Sequence, residues 1–165
     1  MADKAMDVYL NDHLAGAKFG SDLADQLRAQ NQGNTLGAAM QSLAPLIEQD
    51  RQTLIGVLEK MGTSENPVKQ ATTWIAEKAI RLKFAGDRSG GKDLGTFMAV
   101  ETLTLGVEGK RSLWITLKAV ADRYPQLASV DLDGLIERAQ SQHDQLERER
   151  VAAAQRALQG EFASG

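Results

Sequence analysis

The amino-acid sequence predicts an all-α protein: a bundle of four long helices with a short extra helix in one connection. Three observations carry that prediction. Between Thr35 and Met61, the residues Leu36, Met40, Leu43, Ile47, Leu54, Val57 and Met61 recur at helical spacing along one seam, and Asp50 is the one polar residue on it. Hydrophobic residues make up 42% of the chain but aromatic ones only 5%, a balance that suits leucine and alanine packing between helices better than a β-sandwich. No stretch alternates apolar and polar residues as a half-buried strand would.

Taken in order, the first helix is expected over about 4–30, with Met6, Tyr9, Leu10, Leu14, Ala17, Leu23, Ala24 and Leu27 inward. Gly16, Gly20 and Ala24, four apart, present a small-residue face to a neighbouring helix. Asn31-Gln32-Gly33-Asn34 is a turn in which Gly33 can take positive φ and Asn34 or Thr35 can cap the second helix, over 35–61, so these two helices form an antiparallel hairpin. Pro45 inside that helix removes one hydrogen bond and predicts a kink. Gly62 ends it. Asn66-Pro67 then opens a shorter helix over about 67–82, and the glycine-rich stretch that follows reads as a surface loop. A long helix over 94–123 is closed by Pro125, with Asp93 as its cap, and the last helix spans 131–158 ahead of a 160–165 tail. The connection between the two hairpins is long enough to travel the length of a bundle, which predicts up-down-down-up order in a single domain covering 1–165.

Composition excludes several functions. With 19 basic and 22 acidic residues, a net charge of -3 and no basic cluster, nucleic acid is not an expected partner. There are no cysteines, hence no disulfides, thiolate metal sites or cysteine nucleophile, as suits a reducing cytoplasm. Neither a leader pattern at the amino terminus nor a membrane-crossing apolar run is present, so a cytoplasmic protein is expected. Gly86 to Asp93 has the glycine and lysine spacing of a P-loop. However, helix-forming sequence precedes it where a strand is needed, and Asp93 stands where a magnesium-binding Ser or Thr belongs.

The helix order invites comparison with bundles that hold two metal ions. LNDHLAGA in the first helix leads to Ala17, the second helix offers Ile47 and Asp50 or Glu48 and Arg51 as an acid-x-x-ligand pair, the fourth offers Glu101 or Glu108, and QSQHDQLE in the last contains Gln140 and His143. In architecture and in these stretches the chain resembles the ferritin-like superfamily, whose members often carry a di-metal site built from a Glu on two helices and Glu-x-x-His on two others. That resemblance implies the up-down-down-up bundle. For this chain it implies a reduced ligand set, because Ala17 and Gln140 stand where glutamates would, and no histidine falls at the expected place on the second helix. An alternative reading follows, a metal-binding protein or metal-dependent oxidoreductase that uses Glu48, Glu101, Glu108 and His143 with iron or manganese.

The leading expectation is different. Asp50 on an apolar seam is costly unless paired, and His13, Lys110, Arg111 and His143 lie at similar heights, so these residues are expected to form a polar layer in mid-bundle that fixes helix register. The competing expectation is that Asp50 and Arg111 lean out to solvent. Trp74 and Trp114 are expected as packing anchors, with an exposed Trp74 pointing to an oligomer interface. Function is then read as non-catalytic and without a cofactor, acting through a protein partner or self-association, with a homodimer among the expected forms. A small apolar ligand between the glycine-lined helices is a third reading.

Overall fold

A computed structural model describes residues 3–63, 77 and 91–159. Within them the chain is helical, with no strand: α1 (Lys4–Gln30), α2 (Thr35–Met61), α3 (Gly91–Ala119) and α4 (Leu132–Gln159), with two 3₁₀ segments, Ala121–Arg123 and Pro125–Ser129, between α3 and α4. Of the expected helix over 67–82 only Glu77 is described, helical and exposed; the rest of it, with Trp74, lies outside the described residues, as does the 160–165 tail.

Helix ends follow the local chemistry of the sequence. Asp3 caps α1 by accepting from the Ala5 N–H, and Asn34 caps α2 by accepting from the Gly37 N–H at 2.9 Å. Gly62 ends α2 in the left-handed conformation at φ 69°, with its N–H and that of Thr63 reaching back to Leu58 and Glu59 carbonyls. The Thr63 hydroxyl donates to Asp7 at 2.6 Å and ties the end of α2 to the start of α1. Pro45 lies within α2, which continues on both sides of it.

Two boundaries differ from expectation. α3 begins at Gly91, at φ 63°, so Asp93 is not its cap but an acid in its first turn, where it opposes the positive end of the helix dipole. At the other end the α-helix stops at Ala119 and not at Arg123. Val120 bonds Leu117 in 3₁₀ fashion, and two 3₁₀ segments follow on either side of Tyr124, the second opened by Pro125, which cannot donate to a preceding turn. Leu127, fully buried, is the reason this connection lies flat against the bundle.

The core is split into two apolar clusters. One joins Met6 and Leu10 of α1, Leu54 to Met61 of α2, Leu113 to Leu117 of α3, and Leu132 to Ala139 of α4. The other joins Leu23 to Leu27, Leu36 to Ile47, Ala99 to Val107, and Leu146. Each large side chain fully buried in them contributes about 1.5–3 kcal/mol. Trp114 anchors the first cluster at 1% exposure.

The α1–α2 turn is the tightest place in the fold. A Cβ on Gly37 would collide with the backbone carbonyl of Asn31, which cannot move because Asn31 is buried and itself bonded to Leu27. Gly37→Ala is therefore expected to destabilise the protein by about 3 kcal/mol in denaturant unfolding. Unchanged stability would mean that the turn is looser than this geometry.

Candidate functional site

Between the two clusters, at mid-height, three helices place a polar residue on their inward seam. On α2 it is Asp50, between Ile47 and Leu54; on α3 it is Lys110, between Val107 and Trp114; on α4 it is Gln142, between Ala139 and Leu146. Spacings of three and four residues on every helix bring all three to one level.

They are joined to one another. Lys110 Nζ donates to Asp50 Oδ2 at 2.6 Å and also to Gln142 Oε1, while Gln142 Nε2 donates to the same Asp50 oxygen at 3.0 Å. On the opposite side of the carboxylate, the Arg138 guanidinium of α4 pairs with Asp50 Oδ1. Asp50 is 1% exposed and the Lys110 side chain 14%, so this is an interior ion pair and not a surface one. Burial depresses the Lys110 pKa; Asp50 pulls it back up, and the Arg138 charge adds to the depression.

Of the residues expected in this layer, Asp50 and Lys110 meet there, and three do not. Arg111, one position off the α3 seam, turns along its own helix to pair with Glu108 at 3.1 Å. His143, one position off the α4 seam, lies beside Asp144, with Nδ1 3.6 Å from its carboxylate. His13 stacks edge-on against Tyr9 at a centroid distance of 4.7 Å, and burial lowers its pKa against the opposing pull of Asp12. Gln142 and Arg138, which complete the layer, were not among the expected residues. The run Leu135, Ala139, Gln142, Leu146 marks Gln142 as inward by its spacing, whereas Arg138 lies off the seam and reaches in only through its length.

The acids considered as metal ligands are dispersed and already neutralised. Glu48 accepts from Ser21 at 2.5 Å, from Arg51 at 2.9 Å and from Gln52 at 2.7 Å, and these bonds outweigh the raising effect of burial to keep its pKa low. Glu101 pairs with Arg150, which also grips Glu147, and Glu108 pairs with Arg111. Among the described residues, no three acidic or histidine side chains converge where a metal ion could sit. Asp50, the one buried acid among the described residues, faces an ammonium and a guanidinium that would repel a cation, so this donor set does not fit a di-metal centre.

On the α1 side of the polar layer stand Gly16 and Gly20, flanked by Asp12, His13, Ala17 and Phe19. The result is a cleft of about 260 Å³ between α1 and α3, walled by Gly16, Gly20, Gly106 and Gly109, with Ile47 and Asp50 of α2 and Lys110 of α3 among its lining.

Removal of the central carboxylate would leave Lys110 and Arg138 facing each other without a counter-charge. Asp50→Leu is expected to cost about 3–5 kcal/mol in chemical denaturation, even though leucine matches the apolar seam. A neutral effect would show that the cations escape to water and that the layer is not an interior pairing.

Set against known proteins, this chain matches no family model, no curated protein and no solved structure. What it does is therefore read from its own residues.

Proposed function

We propose that the chain is a non-catalytic bundle of ferritin-like topology, in up-down-down-up order, that works in the cytoplasm by association and not by chemistry. The partitioned core supports the topology: the start of α1 packs with the end of α3, and the end of α1 with its start, as that helix order requires. The absence of cysteine suits a reducing compartment, and among the described residues no helix is long and apolar enough to cross a membrane.

One observation carries the functional reading. Where a metal-binding relative would gather carboxylates, this chain holds a single carboxylate bound by two cations and a glutamine, and its other candidate acids are each held by an arginine. Such a layer offers a metal ion no open coordination position and serves to align the three helices that build it. The surface left for association, with a protein partner or with a second copy, is the cleft between α1 and α3, at whose edge Leu105 is 58% exposed.

Titration of the untagged protein with manganese, zinc and, without oxygen, ferrous iron tests this. No stoichiometric uptake is expected. Binding of one or two ions per chain that is lost in both Glu48→Ala and His143→Ala would replace the association reading with the metal-dependent one.

A further inference from the structure

The cleft between α1 and α3 has features that packing alone does not explain. Glycine inside a helix costs about 1 kcal/mol relative to alanine, and the usual return is close approach of a neighbouring backbone. That return is missing here. A Cβ on Gly16, Gly106 or Gly109 would meet nothing within 4 Å, and one on Gly20 would only touch Leu103 at 4.0 Å. Four glycines on two facing helices therefore hold open a space that alanines would begin to fill. At about 260 Å³ that space exceeds the cavity of about 150 Å³ that admits benzene, and it suits a single ring with a short chain.

Among the described residues, Lys110 and Trp114 each have a donor to spare in the lining, while Arg51 Nε and Asp50 Oδ1 also lack a hydrogen bond although both residues are ion-paired. Lys110 has three N–H donors and uses two, on Asp50 and Gln142, so one is left over among the described residues. Trp114 is 1% exposed, and its indole N–H has no acceptor. Charge points the same way. The buried layer sets the single carboxylate of Asp50 against the cations of Lys110 and Arg138, which leaves one positive charge over. In the lining itself the buried cation is Lys110, since Arg138 reaches Asp50 from outside the cleft; Arg51 is held by Glu48, and Asp12 lies exposed at the rim.

We propose that this cleft binds a small monocarboxylate with an apolar body, its carboxylate taken by the Lys110 ammonium at the base and its body lying between the glycine-bearing faces of α1 and α3. The ligand supplies the missing anion to the polar layer and fills the space that the glycines leave. The inference rests on the non-catalytic reading above and gives the same cleft a small molecule as its occupant in place of a protein surface.

Calorimetric titration of the full chain, in the presence of a chelator, with 4-phenylbutyrate and with the matching alcohol 4-phenylbutanol tests it. One molecule of acid per chain is expected, bound about tenfold or more tightly than the alcohol. Gly109→Leu, which fills the space while favouring the helix, is expected to abolish binding with its melting temperature retained, and Lys110→Met to remove the preference for acid over alcohol. Equal affinity for the two compounds in the unaltered chain would overturn the carboxylate assignment but leave the cleft as the binding surface. Binding of neither, or binding of the acid unchanged in Gly109→Leu, would overturn the site altogether. Failure of the association reading would show separately, as stoichiometric metal uptake in the absence of chelator.

Discussion

The carboxylate of Asp50 is where the packing of this bundle is decided. It is almost completely buried on α2, and it is tolerated there only because Lys110 of α3 and Arg138 and Gln142 of α4 come to it. Each of those partners is fixed to its own helix, so the pairing sets the height of three helices relative to one another. An apolar seam alone would not do this, since leucines can slide past leucines by a turn at modest cost, whereas a displaced Asp50 would lose both its cations. The two apolar clusters above and below contribute most of the burial; the layer between them specifies which leucines meet.

The same layer explains why α1 differs from its neighbours. α1 is joined to α2 by a short turn and packs closely along it, and it contributes no polar side chain to the layer; Gly16 and Gly20 stand at that height instead. Ser21, one position beyond Gly20, turns to Glu48 on the side of α2. An interior ion pair and an open cleft therefore share one cross-section of the bundle, so that Lys110 belongs to both. A charged residue that holds the helices in register also forms part of the wall of the space beside them, and so occupation of the cleft and stability of the bundle are coupled.

Much of the fold was legible in the sequence, because helical periodicity and capping residues are local. The extents of α1 and α2 follow from Asn34, Gly33 and Gly62 together with their apolar seams. The end of α3 was less legible, since the change from α to 3₁₀ winding before Pro125 depends on Leu127 reaching the core, which is a tertiary effect. For the site, Asp50 was legible as an interruption of an apolar run, and Lys110 as one of its candidate partners. Gln142 is equally visible by its spacing, but it is uncharged, and charge complementarity to Asp50 points instead to the histidine next to it. Arg138 could not be seen, because nothing in a sequence tells how far a long side chain will reach inward. The cleft was legible only as glycines. Whether those glycines meet a backbone or face empty space is a question that coordinates answer.

The account rests on the pairing of Asp50 with Lys110 as an interior interaction, and a double-mutant cycle measures it most directly. Asp50→Leu, Lys110→Met and the combined variant, compared by denaturant unfolding, should give a coupling of more than about 1 kcal/mol, with the double variant less destabilised than the sum of the two singles. Additivity to within about 0.3 kcal/mol would contradict it, and with it the claim that this layer sets the register of the bundle.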